Sequence, residues 1–294
     1  MTTSPRPPLT GKTRLVGVIG WPIEHSVSPP MHNAAFEALG LDWCYVPFAV
    51  APERVAEALA GVRALGLRGI NATVPHKQAL LSLVDELTPA AQAIGAVNTV
   101  VIAENGRTLG HNTDAAGFLR SLREAGVAPE GASALVLGAG GAARAVVYAL
   151  ASIGARVTIL NRTPARAEAL AADMAGAAAG EPPRAGALTP EALAELGASA
   201  DLVVNSTSLG MWPHTETSPW PKEVPFPGGA FLYDLVYNPR RTRLMAQAEA
   251  AGARAVDGLR MLVHQGAEAL SMWTGVAAPV EVMYRACKRA LEGG

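Results

Sequence analysis

The sequence predicts a mixed α/β protein of two domains, and three observations carry that prediction. The 294 residues are about twice the length of an ordinary domain, and half of them are apolar, enough for two packed cores. Short apolar runs alternate with stretches of helical spacing along most of the chain, the order expected of helices covering largely parallel sheets. A glycine cluster, Gly138-Ala139-Gly140-Gly141-Ala142-Ala143, stands between an apolar run at 134–137 and helical spacing at 144–150, and another apolar run follows at 157–160. That unit is βαβ and has the G-x-G-x-x-A form of a dinucleotide-binding fingerprint, so one of the two domains is Rossmann-type.

Composition narrows the class. With a net charge of −1 and only 17% charged residues, no basic surface suggests a nucleic-acid partner. Residues 1–13 are polar and proline-rich, without the apolar stretch of a signal peptide. The apolar window at 135–153 is interrupted by glycines and Arg144, so it reads as a buried βα unit rather than a membrane span. Cys44 and Cys287 are too few and too far apart for a disulfide framework or a zinc site, and a cytoplasmic protein is expected. The six histidines show no metal spacing, and only His111, close to Asp114, is kept as a possible cleft residue. Of the 24 basic residues, four are lysine: Lys12, Lys77, Lys222 and Lys288. Arginine supplies positive charge almost everywhere here, so a lysine inside a motif invites a reason that needs a removable proton.

Taken in order, residues 14–19 predict a strand. Ser28 precedes Pro29 and Pro30 as the expected N-cap of a helix running to 39, whereas Ser26 has no such capping role. A strand is expected at 43–50, a helix at 52–65 and a third strand at 69–74. Alternation along that strand places Asn71 and Thr73 on one face and Ile70, Ala72 and Val74 on the other. Lys77 then falls in the first turn of a helix expected over 78–87, where its charge opposes the helix dipole. A short helix at 89–94, a strand at 95–102, an Asn105-Gly106 type I′ turn and a return strand at 107–110 complete this part. That hairpin brings Asn98 toward Asn112-Thr113-Asp114, with Asp114 the expected N-cap of the following helix. None of this first part carries a glycine fingerprint, so it forms a separate domain.

In the Rossmann-type part, Gly138 permits the turn, Gly140 lets the backbone approach a pyrophosphate, and the helix N-terminus offers it free N–H groups. The position where NAD-binding folds place an acidic residue holds Asn161, followed by Arg162, Thr163 and Arg166. Loss of the carboxylate and gain of two guanidinium groups favour a 2′-phosphate, and so NADP. Helices are expected at 165–174 and 190–196, with a glycine- and proline-rich connection at 176–186. A buried strand at 202–205 runs into a small polar loop containing Thr207, and the proline-rich 212–227 reads as an exposed loop in which Trp212 and Trp220 pack locally. A strand at 230–236, containing Leu235, ends at Tyr237-Asn238-Pro239. A helix at 241–251 precedes the final helical pair, which opens at Gly258 and Pro279.

Seven separated motifs now share one pattern: Ser26-Val27-Ser28-Pro29, Asn71-Ala72-Thr73-Val74-Pro75-His76-Lys77, Gly95-Ala96-Val97-Asn98-Thr99, Asn112-Thr113-Asp114, the glycine turn with Gly140-Gly141-Ala142, Asn161-Arg162-Thr163, and Asp257-Gly258-Leu259-Arg260-Met261-Leu262-Val263-His264-Gln265. In order and over nearly the whole chain, they resemble the shikimate dehydrogenase family. The resemblance implies an N-terminal substrate domain, 1–113 plus 260–294, and an NADP-binding Rossmann domain, 114–259, with the C-terminal helices returning to the substrate domain. It implies NADP-dependent, reversible reduction of 3-dehydroshikimate to shikimate, on the route to chorismate and aromatic amino acids.

By the same resemblance, Ser26 and Ser28 hold the substrate carboxylate, while Asn71, Thr73, Asn98 and Gln265 bind ring hydroxyls. Lys77 and Asp114 form the catalytic pair and also touch substrate, and Tyr237 lies beside substrate and nicotinamide. The cofactor set is Gly138, Ala139, Gly140, Gly141, Ala142, Asn161, Arg162, Thr163, Arg166, Thr207, Leu235, Gly258 and Met261. Lys77 either transfers the proton to the ketone oxygen or polarises that oxygen as hydride arrives. The expected partners are the small-molecule substrate and NADP, with no nucleic acid, no membrane and no metal, in a monomer or homodimer. Two alternatives stand beside this reading. One is a quinate/shikimate dehydrogenase using NAD(P), marked by an acidic residue beyond the second nucleotide-domain strand or an altered serine pair; Pro164, Arg166, Ser26 and Ser28 show neither. The other is a non-catalytic binding module on the same fold, against which Lys77 and Asp114 speak.

Overall fold

A computed structural model describes residues 9–293. The chain divides into two compact units: residues up to 113 together with those from 263 onward, and residues 114–262.

The first unit is built on a mixed six-stranded sheet. Its elements are β1 (Arg14–Gly20), α1 (Ser28–Ala38), β2 (Trp43–Ala49), α2 (Val55–Ala64), β3 (Gly69–Ala72), β4 (Glu86–Leu87), α3 (Pro89–Ile94), β5 (Thr99–Ile102) and β6 (Thr108–His111). The sheet order is β2-β1-β3-β5-β6-β4. Strands β1, β2 and β3 are parallel, β5 and β6 form an antiparallel hairpin against β3, and β4 runs parallel to β6. One face of the sheet packs a core that includes Ile19, Leu59, Ile70, Leu80, Val97 and Val100.

Three local expectations fail here, each for a visible reason. Residues 78–87 are not an α-helix but a 3-10 turn at Ala79–Ser82 followed by β4. Their apolar spacing serves the core through Leu80, while Asp85 accepts from the N–H and hydroxyl of Thr108 at 2.7 and 2.8 Å, stitching the segment to β6 instead. The third strand stops at Ala72, and Val74 is 70% exposed rather than packed beneath the sheet. In the hairpin, Gly106 has positive φ and Asn105 does not; bonds Gly106 N–H to Ala103 O and Ala103 N–H to Arg107 O make it a type I turn with a left-handed glycine, not type I′.

The second unit contains α4 (Asp114–Glu124), β7 (Ser133–Leu137), α5 (Gly141–Ala151), β8 (Arg156–Asn161), α6 (Pro164–Met174), β9 (Arg184–Ala187), α7 (Pro190–Gly197), β10 (Leu202–Asn205), β11 (Phe231–Asp234), α8 (Arg243–Ala250) and β12 (Arg254–Val256). Its sheet is parallel throughout, in the order β12-β11-β10-β7-β8-β9. This is the doubly wound order, with the reversal between β7 and β10, the place where such sheets take a ligand at their C-terminal ends. Leu135, Leu137, Leu160, Val203 and Leu232 fill the core on one side, with Trp220 buried among them and its indole N–H on the Val224 carbonyl at 2.9 Å. Trp212, by contrast, is half exposed. The edge strands β9 and β12 are short and were not expected from the sequence. Helix α9 (Leu259–Thr274) begins in this unit and ends in the first, which α10 (Val280–Glu292) completes. Among the described residues no helix is long and apolar enough to cross a membrane, and no group of His, Cys, Asp or Glu side chains could hold a metal ion.

Candidate active site

In the first unit, polar side chains gather at the C-terminal ends of the parallel strands. Asn71, on β3, donates through Nδ2 to the Asn98 carbonyl at 3.2 Å and to Thr99 Oγ1 at 2.9 Å. Asn98 Oδ1 accepts from the Thr113 N–H at 2.8 Å, and its Nδ2 donates to Thr113 Oγ1 at 2.9 Å and Gln265 Oε1 at 3.3 Å. Asn71, Asn98, Gln265 and Thr113 are all buried, so the hairpin and α9 hold three of the expected residues in one hydrogen-bonded cluster. Thr99 and Thr113 are members that sequence reasoning quoted within motifs without giving them a role.

The two serines exchange the local roles expected of them. Val27 occupies the cap position of α1 and makes no side-chain cap bond, and Ser28 is already inside the first turn. Ser26, the serine without an expected local role, accepts the Ser28 N–H at 3.3 Å. Pro30 has no N–H for a Ser28 cap to serve, and the Met31 N–H goes instead to the Val27 carbonyl at 3.2 Å. Thr73 and Lys77 lie beyond the strand end, in a turn closed by the His76 N–H on the Thr73 carbonyl at 2.8 Å. Thr73 is not joined to the Asn71 cluster; its N–H goes to the Ile19 carbonyl at 3.0 Å. Lys77 is half-buried and its carbonyl accepts the Val97 N–H at 2.8 Å, fixing the turn to the segment that leads into Asn98. No α-helix starts at Lys77, so its charge opposes no helix dipole there.

His32, on α1, is fully buried and stacks on Tyr45 with ring centroids 4.1 Å apart and planes 10° apart. Burial pulls its pKa down to about 4, against the Ser28 and Gly266 carbonyls at its two ring nitrogens, which favour the charged form. Burial also lowers the pKa of His111.

In the second unit, Asp114 is the first residue of α4 rather than a residue preceding it, and is 4% exposed. The glycine turn joins β7 to α5. Gly138 has φ +108°, and a Cβ there would come 2.8 Å from Ser206 Oγ, so both conformation and space require glycine. Gly140 is different: a Cβ on it would meet nothing within 4 Å, and it caps α5 without any side-chain bond to the helix's first N–H groups. Gly141 and Ala142 open that helix, and Ala139 is half-buried before it. The turn thus presents open space and unspent backbone donors at the sheet's reversal point, which fits a dinucleotide pyrophosphate.

Around it, Asn205 at the end of β10 organises the neighbouring loops. Its Oδ1 accepts from the N–H and hydroxyl of Thr207 at 3.0 and 2.7 Å, its carbonyl accepts the Leu235 N–H at 2.9 Å, and its Nδ2 donates to Asp234 Oδ1 at 2.8 Å. Asp234 also accepts from Thr242 Oγ1 at 2.7 Å and the Val236 N–H at 3.1 Å. Burial pushes its carboxyl up to about 6, against those three donors. A Cβ on Gly258 would overlap the Leu235 carbonyl, so Thr207, Leu235 and Gly258 come together beside the sheet end. Tyr237, three residues beyond β11, is half-buried, and Met261 is buried in the first turn of α9. Past β8, Asn161 donates to the Thr163 carbonyl at 2.9 Å, and Thr163, Arg162 and Arg166 are exposed. The two arginines make no ion pair among the described residues, whereas Arg144 is committed to Asp173 at 2.8 Å. Asn205, Asp234 and Thr242 were not singled out in the sequence; a polar pair ending two buried strands was their only signal.

Fold and site together define a class: a two-unit α/β protein with a dinucleotide cradle on one unit and a buried hydroxyl- and amide-rich cluster on the other. The family model described as the shikimate dehydrogenase substrate binding domain matches residues 18–100, that of shikimate / quinate 5-dehydrogenase matches 123–211, and that of the shikimate 5'-dehydrogenase C-terminal domain matches 258–288. The chain is 48% identical to the shikimate dehydrogenase (NADP(+)) of Methanothermobacter thermautotrophicus, over 96% of its own length and 99% of that protein. It is 50% identical to the enzyme of the same name from Moorella thermoacetica, over 95% and 94%. The crystal structure of shikimate 5-dehydrogenase from Thermus thermophilus in complex with NADP(H) and shikimate superimposes with a TM-score of 0.84 at 42% identity, covering 94% of this chain and 99% of that one. The chain belongs to the shikimate dehydrogenase family.

Proposed function

We propose that this protein catalyses the NADP-dependent, reversible reduction of 3-dehydroshikimate to shikimate. The observation that carries the reading is identity of about half, sustained over nearly the full length, with relatives of that activity. The first unit, residues up to 113 with those from 263 onward, is the substrate domain and the second the cofactor domain. NADPH, when bound, supplies hydride to the carbonyl carbon.

The chain's own residues do the rest. Gly138 to Ala142 accept the pyrophosphate, with Thr207, Leu235, Gly258 and Met261 bordering the nicotinamide half. Asn161, Arg162, Thr163 and Arg166 hold the adenosine side with its 2′-phosphate. Ser26 and Ser28 bind the substrate carboxylate, and Asn71, Thr73, Asn98 and Gln265 bind ring hydroxyls, with Tyr237 beside them. Negative charge that builds on the ketone oxygen is met by Lys77, whose ammonium gives a proton or a stabilising charge, and Asp114 keeps that ammonium oriented. The molecule works away from membranes and nucleic acid, as a cytoplasmic monomer or homodimer.

The test is reduced-nicotinamide absorbance with shikimate or quinate, each with NADP or NAD. Turnover on shikimate with NADP is expected. Preference for quinate would replace the substrate assignment, and no turnover with any pair would leave a binding module. Lys77→Ala should lose at least a hundredfold in kcat while Kd for NADP stays constant. Lys77→Arg keeps charge without a transferable proton, so partial activity there favours electrostatic stabilisation.

A further inference from the structure

Asn205 ends β10 fully buried, and its side chain is bonded on every side. Oδ1 accepts the N–H and the hydroxyl of Thr207, while Nδ2 donates to Asp234 Oδ1 and, at 3.4 Å, to the Leu209 carbonyl. The neighbours dictate which way round that amide lies. The Thr207 N–H can only donate and the Leu209 carbonyl can only accept, so the oxygen faces Thr207 and the nitrogen faces Leu209 and Asp234. Asp234 is itself fixed by the Thr242 hydroxyl and the Val236 N–H.

This arrangement sets the polarity of Thr207. An amide oxygen cannot donate, so the Thr207 hydroxyl, 2.7 Å away, turns its single proton inward to Asn205. The Leu209 N–H takes one lone pair of Thr207 Oγ1 at 3.2 Å. One lone pair is left. Thr207 also packs on the glycine turn: a Cβ on Gly138 would stand 3.1 Å from its methyl group, and Thr207 itself is only half-buried.

The oxygens of a pyrophosphate are acceptors, and two acceptors do not bond, so a Thr207 held this way does not serve the pyrophosphate. Past that group, NADP offers donors only on its nicotinamide half: the ribose hydroxyls and the carboxamide N–H groups. We propose that Asn205 is a positioning residue that, anchored by Asp234, holds Thr207 as a hydrogen-bond acceptor for a donor on the nicotinamide half. The inference rests on the reading that Thr207 borders that half.

The test is the Kd of NADP by calorimetry, set beside that of adenosine 2′,5′-bisphosphate, which ends before the nicotinamide half. Thr207→Val keeps the shape and removes the hydroxyl; it should weaken NADP by about tenfold, the scale of one hydrogen bond, and leave the bisphosphate unmoved. Asn205→Ala should do the same, and adding Thr207→Val to it should weaken NADP by less than about twofold more, since the hydroxyl is no longer held. Effects that multiply, or equal weakening of both ligands by Asn205→Ala, would make Asn205 a purely structural residue and overturn the proposal. Normal binding of both ligands by Thr207→Val would overturn the placement of Thr207 at the cofactor, and the proposal with it. Should Asn205→Ala fail to fold, three NADP analogues serve with Asn205 intact: the nicotinamide ribose without its 2′- or its 3′-hydroxyl, and nicotinic acid in place of nicotinamide. The analogue lacking the donor that Thr207 meets should bind the unaltered protein and Thr207→Val with equal Kd, which also tells ribose from carboxamide. A gap that persists with all three would sink the assignment.

Discussion

At the scale of single residues, His32 makes the protein's stability depend on pH in a defined direction. Its folded pKa lies near 4 against an ordinary 6.5, so below pH 6.5 the unfolded chain takes up a proton that the folded chain refuses. Stability contributed by neutral His32 is complete above pH 6.5 and is lost as pH falls through 4, by up to about 3 kcal/mol. In urea denaturation, the gap between the unaltered protein and His32→Phe should narrow from pH 7 to pH 5; a constant gap would show that titration plays no part. Single residues were also where the sequence was least readable. Asn98 and Thr113 could be brought together from a hairpin signal alone, because antiparallel pairing puts entry and exit side by side. Tyr45 could not, since a tyrosine in a buried strand looks like any aromatic core residue until the bond from its hydroxyl to Asn71 is visible. The cap expected at Ser28 shifts by one residue to Val27, because a Ser-Pro-Pro start signals a helix without fixing its first residue.

At the scale of elements, the turn between β7 and α5 separates two kinds of glycine. Gly138→Ala must place a side chain at φ +108° and against Ser206, so loss of stability by about 1–3 kcal/mol is expected. Gly140→Ala meets open space and should leave the melting temperature within about a degree while weakening NADP binding at least tenfold. Calorimetric melting beside a cofactor titration distinguishes them; an unchanged NADP Kd in Gly140→Ala would move the pyrophosphate elsewhere. The exposed turn after β8 makes a second prediction. Replacing Arg162 and Arg166 by alanine should raise KM for NADP by about tenfold or more and leave KM for NAD almost unmoved, because two charge-assisted contacts to one phosphate are lost. Equal effects on both cofactors would remove the 2′-phosphate from that turn. Elements with strong periodicity or a glycine signature were legible from sequence. The segment after Lys77 was not, because Leu80, Leu81, Val84 and Leu87 have helical spacing that a 3-10 turn and a strand can also bury.

At the scale of the whole molecule, the two units differ in how the chain builds them. Helix α10 buries Met283, Ala286 and Cys287, and its cysteine thiol approaches the Val27 carbonyl at 3.9 Å, just before the start of α1. Deleting residues 279–294 should therefore strip hydrogen-exchange protection from β1, β2 and β3 and leave β7, β10 and β11 protected. Uniform loss across both sheets would mean that the units do not unfold separately. The sequence alone could not place these last helices: their amphipathic pattern says that one face is covered, not which sheet lies beneath it. The discontinuity has a consequence during synthesis. The second unit is one uninterrupted stretch and can fold as soon as it clears the ribosome. The first 113 residues must wait for 149 more before α9 can reach them. At about 5–20 residues per second, that is roughly ten to thirty seconds in which the nascent α1 is without α10, the helix packed along it. The half of the protein made first is thus the half finished last, and the natural client for a chaperone on this chain is its own N-terminal sheet.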